Sequence, residues 1–305
     1  MPTSILNMKL THVACPICGY TNNYTVLYPN NFSAGDITTS IFSARRMPDK
    51  IHYQIVTCKT CGLVRSTPTI TAGSLYRLYK NSRFTYGDEV RNLIRTYVKA
   101  LKPILQTLHY SAKILDIGCG NGFLITALHD LGYTNVYGIE PSSDAIDKAH
   151  HAIKKNLIHN TLKPGIFKEQ SFDFIFFFQT LDHIPDPNGF LKECYHILKH
   201  QGYILSFNHN IDSLSSKLLG ERSPIIDIEH TFLYSPKTIT LLFRKAGFTV
   251  DSVYSPLNSV SVRHIIRLSP VPDTLKKSLL IHKPGILNIT VNMRLGNICL
   301  VGRKK

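Results

Sequence analysis

The sequence predicts an α/β fold: a mostly parallel sheet covered by helices on both faces, with a small cysteine-bearing module in front. Three observations predict it. Strand and helix patterns alternate from Lys113 to the end, which argues for a parallel sheet with helical crossovers. A glycine-rich turn, Gly118-Cys119-Gly120-Asn121-Gly122, follows the first of those strands. Two Cys-x2-Cys pairs, Cys15/Cys18 and Cys58/Cys61, lie ahead of it. A chain of 305 residues is long enough for one large α/β unit and one small one.

The elements follow in order. Residues 1–67 read as a metal-binding module, in which Tyr53–Thr57 alternates like a strand leading into the second cysteine pair. Residues 68–110 read as a helical connector. It carries Leu75-Tyr76-Arg77-Leu78-Tyr79 and then a helix over about Asp88–Leu108, apolar at Val90, Ile94, Val98, Leu101, Ile104 and Leu105, with Pro103 as a kink or break. Residues 111–305 read as the α/β core. Its expected strands are Ile114–Ile117, Asn135–Ile139, Asn156–His159, Phe172–Gln179, Tyr203–Asn208, Phe248–Tyr254 and Asn297–Gly302. Its expected helices are Phe123–Leu131, Ser143–Lys154, Gly189–Lys199 and Pro236–Ala246. Insertions are expected at about 209–235 and 256–292, the second irregular in pattern and basic.

Composition narrows the function classes. Hydrophobic residues make up 43 % and charged residues 18 %, as in a packed globular chain and unlike a disordered one. Residues Met1–Leu10 do not read as a signal peptide. The strongest apolar burst, Phe174–Phe178, is too short to span a bilayer. Seven cysteines, four of them in close pairs, fit a metal site in a reducing, cytoplasmic setting better than a disulfide framework. The net charge of +15 favours an anionic partner, either a phosphorylated small molecule or nucleic acid.

Two Cys-x2-Cys pairs, each followed by glycine (Gly19 and Gly62), form a zinc-ribbon pattern. Four thiolates suit tetrahedral Zn2+ and leave no open position, so the ion is expected to be structural; iron or unbound thiols are the alternatives. Cys119 is expected to be a small buried filler.

In a strand–turn–helix, glycines let the backbone turn tightly and let a ligand approach closely. Glu140 stands at the end of the next strand, where a carboxylate can accept both hydroxyls of a ribose. The Gly-x-Gly-x-Gly spacing differs from the Gly-x-Gly-x-x-Gly of dinucleotide folds.

These residues resemble a known family. Ile114–Gly122 (ILDIGCGNG), Gly138-Ile-Glu140-Pro-Ser, Ser171-Phe-Asp173-Phe-Ile, Leu181-Asp182-His183-Ile184-Pro185-Asp186-Pro187 and Leu198–Tyr203 are similar, in that order, to the motifs of class I S-adenosylmethionine (SAM)-dependent methyltransferases. The resemblance implies a Rossmann-like methyltransferase fold, SAM as methyl donor, and roles by position. Asp116 orients the loop and holds the methionine amino group. Gly118 and Gly120 meet the cofactor through backbone, Glu140 holds ribose, and Gln179 lies near the methionine end. Thr161 stands where many members place an acidic residue near adenine, and no carboxylate occurs there. Asp182 stands where glutamate is common. The tyrosines of the connector, Tyr79 and Tyr86, are expected to close over the cofactor or the substrate.

Histidine is the natural base for methyl transfer near neutral pH. His183, after the fourth strand, and His230, in Asp227–Tyr234, are the catalytic candidates. Asn208 and His209 are candidates to line the pocket; Arg263, His264 and Arg267 are candidates to meet a diphosphate. The order of cysteine pairs, Leu-Tyr and core also resembles bacterial methyltransferases acting on nucleotide-linked or surface sugars. A zinc-bearing group that methylates ribosomal RNA has a different cysteine and histidine spacing. The expected function is therefore methyl transfer to a small anionic substrate, a nucleotide-linked sugar or surface-glycan precursor, by a monomer or homodimer. RNA methylation and a non-catalytic SAM-fold binding protein are the alternatives.

Overall fold

The computed structural model describes residues 10–33, 50–82, 89–269, 271–282 and 284–305. The N-terminal part contributes β1 (Leu10–Thr11), β2 (Tyr24–Tyr28), β3 (Ile55–Cys58), β4 (Val64–Ser66) and β5 (Thr69–Ile70). Strands β2, β3 and β4 form an antiparallel meander, and β1 pairs with β5. So small a sheet has little apolar interior, and a buried cation fills part of it. Arg65 is fully buried. Its guanidinium donates to the carbonyls of Val13 (2.9 Å) and Thr21 (3.0 Å) and lies 5.6 Å from the centre of the Tyr24 ring. A buried charge is tolerated only with such partners.

Two helices follow. In α1 (Ala72–Lys80) the Thr71 hydroxyl caps the first turn by accepting from the Ser74 N–H. In α2 (Val90–Leu105) the stripe Leu93, Tyr97, Leu101, Ile104 and Leu105 is buried. Pro103 lies inside its last turn, where the helix continues to Leu105 without a break.

The core then runs β6 (Ile114–Ile117), α3 (Phe123–Asp130), β7 (Val136–Glu140), α4 (Ser143–Asp147), β8 (Leu157–His159), β9 (Phe172–Phe178), α5 (Pro187–Ile197), β10 (Leu198–His209), α6 (Leu214–Leu219), β11 (Phe232–Leu233), α7 (Pro236–Lys245) and β12 (Thr249–Tyr254). It finishes with β13 (Asn258–Ser261), α8 (Val262–Leu268), α9 (Asp273–His282), α10 (Pro284–Leu287), β14 (Thr290–Met293) and β15 (Asn297–Arg303). Seven strands form one sheet in the order β12-β15-β10-β9-β6-β7-β8. The neighbours from β8 to β10 pair in parallel, whereas β15 runs antiparallel between β10 and β12. This is the Rossmann-like order of SAM-dependent methyltransferases, as the motifs implied.

Side-chain alternation along β9 separates the two faces of the sheet. Ile175 and Phe177 pack with Leu191, Cys194, Leu242 and Phe243 of α5 and α7, in a cluster that also contains Cys15, Cys58, Cys61 and Leu63. Phe174, Phe176 and Phe178 pack with α2 and α3, where the Tyr97 ring stacks on Phe178 at 3.9 Å. Helices α5 and α7 start where their sequence directs. Asp186 accepts the Gly189 N–H at 3.0 Å ahead of Pro187, and Ser235 and Thr238 form a capping box around Pro236.

Strand pairing and hydrogen bonds join the N-terminal sheet to the core. Strand β11 pairs with β4, so the insertion at 209–235 supplies the fourth strand of the cysteine-bearing sheet. Lys245 of α7 donates to the carbonyls of Pro16 (2.6 Å) and Ile17 (3.0 Å), between the first two cysteines.

Two expectations are corrected. The helix expected over Ser143–Lys154 ends at Asp147. The chain then turns and buries Ile153 against Gly122, a contact that continued helix would not give. Residues 256–292 are not irregular: β13 and β14 pair and flank α8 to α10. Their polar partners come from distant sequence. Buried Glu89 accepts from Asn92 (3.0 Å) and from the Ser261 hydroxyl, which ties the insertion to the start of α2.

Candidate active site

Where the strand order reverses between β6 and β9, the carboxyl ends of an open parallel sheet leave a crevice. Here it widens into a cavity of about 1040 Å³ bounded by the core, α1 and the loop that carries His230. Asp116, Gly118, Gly120, Glu140, Thr161, Gln179, Tyr79, His183 and His230 all line it. Tyr86 lies outside the described residues.

At the glycine end, Gly118 has φ +75°, and a Cβ there would lie 2.6 Å from the Thr180 hydroxyl oxygen. Both the conformation and the space require glycine. Cys119 is buried against Gly138, as a filler. Glu140 accepts the Gly120 N–H at 3.0 Å and the Ser142 N–H at 2.9 Å, so the carboxylate is braced by the loop beside it. Burial raises its pKa even so, although the two N–H groups pull it down. Burial, with Glu140 beside it, raises Asp116 well above the usual carboxylate range. Two desolvated carboxyl groups in one pocket make a site that a cationic ligand relieves. Gln179, at the end of β9, has φ +51° and a buried Oε1 without a hydrogen-bond partner among the described residues. Backbone strain with an unpaired polar atom is the mark of a ligand-facing position.

A histidine cluster lines the same cavity. The Tyr79 hydroxyl lies 2.8 Å from His183 Nδ1. Asp182, 1 % exposed, stands behind three imidazoles: His183 Nε2 is 3.8 Å from its Oδ1, and His209 Nε2 and His230 Nε2 are each 4.0 Å from its Oδ2. Asn208 donates to Asp182 Oδ1 at 3.2 Å and in turn accepts from the Ser206 hydroxyl. Burial pushes the Asp182 carboxyl up, but His183, His230 and His209 outweigh it and hold it below its ordinary value. Burial pushes His183 down to about 4, against the pull of Asp182. Tyr79 is raised well above the usual phenol value by burial and by Glu229, Asp182 and Asp227, which keeps its hydroxyl protonated.

Sequence reasoning named His183 and His230 but missed Asp182 as their common centre and gave His209 only a lining role. Local sequence carries no signal for it: Phe207 pairs in register with Phe178, which brings the last residues of β10 beside the chain that leaves β9. Tyr79, expected beside the cofactor, has its hydroxyl on His183. Of the basic residues Arg263, His264 and Arg267, His264 lines the cavity. Asn208 is fully buried and supports Asp182 from below.

Away from the cavity, the four cysteines of the N-terminal sheet converge. Their Sγ atoms lie 3.3 Å (Cys18–Cys58), 3.4 Å (Cys15–Cys18), 3.5 Å (Cys15–Cys61) and 3.7 Å (Cys18–Cys61) apart. The edge of a zinc–thiolate tetrahedron with 2.3 Å bonds is about 3.8 Å. Burial and the neighbouring thiols push Cys18 up to about 11. For Cys58, burial raises the thiol, but N–H groups from Cys61 and Thr60 and the Cys18 thiol bring it down to about 6. Four sulfurs this close cannot all be anionic without a cation.

Comparison with known proteins agrees with the fold. A methyltransferase-domain family model matches residues 89–253, more than half of the chain. The ubiquinone biosynthesis O-methyltransferase of Shewanella pealeana is 26 % identical over 168 residues, covering 50 % of this chain and 71 % of that protein. The enzyme of the same name from Idiomarina loihiensis is 30 % identical over 136 residues, covering 42 % and 53 %. A SAM-dependent methyltransferase structure from Thermotoga maritima is 21 % identical, covers 71 % of this chain and 91 % of that one, and superposes with a TM-score of 0.48. The chain belongs to the methyltransferase-domain family. It is a class I SAM-dependent methyltransferase. Among the described residues no helix is long and apolar enough to cross a membrane.

Proposed function

We propose that the enzyme methylates a small anionic acceptor, a nucleotide-linked sugar or a surface-glycan precursor, in the part of the cavity lined by Tyr79, His183, His209 and His230, with Asp182 buried behind them. The observation that carries the reading is this cluster. It lines the same cavity as the glycine loop, as an acceptor site must if donor and acceptor are to meet.

On this reading, bound SAM supplies an activated methyl group on a sulfonium. Asp116 and Glu140 favour its positive charge, Glu140 accepts from ribose hydroxyls, Gly118 and Gly120 leave room for its close approach, and Thr161 faces adenine. Gln179 Oε1 offers an acceptor at the methionine end. An acceptor hydroxyl or acidic carbon sheds a proton as the methyl arrives. His183 and His230, poised on Asp182, position that group, and an imidazole of the cluster takes the proton. The basic side chains Lys163, Lys192 and His264 line the same cavity and suit phosphate. Cys15, Cys18, Cys58 and Cys61 hold a structural Zn2+.

A second reading, O-methylation of a hydroxyl in ubiquinone biosynthesis, is favoured by the names of the relatives from Shewanella pealeana and Idiomarina loihiensis. Methyl-labelled SAM offered with nucleoside-diphosphate sugars, catechols and total RNA in parallel tests the proposal. Label in the sugar nucleotides supports it, label in catechols alone transfers support to the second reading, and label in RNA alone refutes both.

A further inference from the structure

We propose that Asp182, His183 and His230 bind a divalent transition-metal ion at the acceptor end of the cavity, a second ion site distinct from the four cysteines. The inference rests on the reading that this end of the cavity receives the methyl acceptor, and it adds what holds that acceptor.

The argument begins with His230. Its Nδ1 lies 2.9 Å from the carbonyl oxygen of Ile225. A carbonyl only accepts, so Nδ1 carries the hydrogen, and in the neutral tautomer Nε2 turns a bare lone pair inward. That atom faces Asp182 Oδ2 at 4.0 Å. Asp182 Oδ2 is buried and has no hydrogen-bond partner among the described residues. A buried carboxylate oxygen and an imidazole lone pair thus point at the same space, which is costly unless something positive lies between them. The distance says what fits. At 4.0 Å no proton bridges the pair, since N–H···O bonds close at about 3.2 Å. Two ligand atoms each about 2.0–2.2 Å from one ion in a tetrahedron lie roughly 3.3–3.6 Å apart, so the pair closes by about 0.5 Å when it takes an ion.

His183 completes the set. Its ring is 3.8 Å from Asp182 Oδ1, and the ligand atoms of Asp182, His183 and His230 all fall within 4.8 Å of one another. The other ring nitrogen of each histidine is held from behind, His183 by Tyr79 and His230 by Ile225. Such support is what fixes metal-binding imidazoles. Two histidines and one carboxylate leave the remaining positions open toward the cavity, the donor set of catalytic Zn2+ and of Fe2+ or Mn2+ sites rather than of Mg2+ or Ca2+. The ion would take an acceptor oxygen in an open position and make its proton easier to remove. The proton passes to His209, which borders the same carboxylate. The new oxygen–carbon bond forms as the carbon–sulfur bond of the sulfonium breaks, and that bonding pair leaves with sulfur.

Cobalt(II) titrated into the full-length, zinc-loaded protein tests the site. The expected result is one further equivalent, with weak visible absorption and without the thiolate-to-cobalt charge-transfer band of the cysteine site. His230→Gln and Asp182→Asn each weaken that equivalent at least ten-fold. His230→Gln keeps the charge of Asp182 and so guards against simple unfolding, which circular dichroism checks in both variants. An uptake limited to thiolate-type cobalt, or a further equivalent unchanged in both variants, overturns the proposal. SAM calorimetry on the same samples separates the two readings. SAM binding without the second ion defeats the ion site alone, whereas absence of SAM binding with both ions present defeats the underlying methyl-transfer site.

Discussion

Substituting Gly118 by alanine tests the glycine loop most directly. The residue sits at φ +75°, and alanine in that region costs about 1–2 kcal/mol. The new Cβ would lie 2.6 Å from the Thr180 hydroxyl oxygen and 3.1 Å from its methyl carbon. Thr180 has little room to yield, since its hydroxyl lies 3.2 Å from the Ile117 carbonyl and 3.0 Å from that of Phe178. Displacing it loses a hydrogen bond of about 1 kcal/mol. Gly118→Ala should therefore destabilise the protein by about 2–3 kcal/mol, read as a shift in urea midpoint at constant slope. In a Thr180→Ala background the clash disappears, and only the backbone cost of about 1–2 kcal/mol remains. The cycle should show a coupling of about 1 kcal/mol. SAM affinity, by calorimetry, should fall at least ten-fold in the single variant because the loop that receives it has moved. A loss below about 0.5 kcal/mol together with zero coupling would refute the argument that this turn admits only glycine.

Three further outcomes are expected. Glu140→Gln places an amide N–H2 against one of the two N–H donors of Gly120 and Ser142 and removes the charge; SAM affinity in calorimetry should drop ten- to a hundred-fold, about 1.4–2.8 kcal/mol. His183 stays neutral in the folded protein down to about pH 4, whereas in the unfolded chain it takes its proton near 6.5. Its contribution is thus fully present above about 6.5 and is lost as the pH falls toward 4; urea midpoints without added divalent ions should show about 2 kcal/mol lost by pH 5, and a shallower fall in His183→Gln. Cys58→Ser removes one of four converging sulfurs; the variant should retain less than one zinc per chain by elemental analysis and melt well below the wild type, and full zinc retention would remove the cysteines from the metal site.

The sheet was legible in the sequence because its strands are nearly continuous apolar runs: Phe172–Phe178 admits no other reading once turns bound it. The glycine loop and Glu140 were legible because backbone conformation and strand ends constrain residue type strongly. The early stop of α4 was not, since it depends on Ile153 finding Gly122, a tertiary contact that local periodicity does not carry. The second insertion was misread for the same reason. Ser261 and Glu89 hold it, and they are far apart in sequence. His183 and His230 could be named singly from the family motifs and loop position. That they share Asp182 with His209 follows only from the pairing of β9 with β10 and of β11 with β4.

Strand β4 begins three residues after Cys61 and ends at Ser66. There the Ser66 hydroxyl donates to the His230 carbonyl at 3.0 Å, and the Ser66 N–H donates to that of Thr231 at 2.8 Å. One short strand is therefore a ruler between four sulfurs and an imidazole. Any displacement at Cys61 thus has a continuous backbone path, through that strand, to the carbonyls of His230 and Thr231.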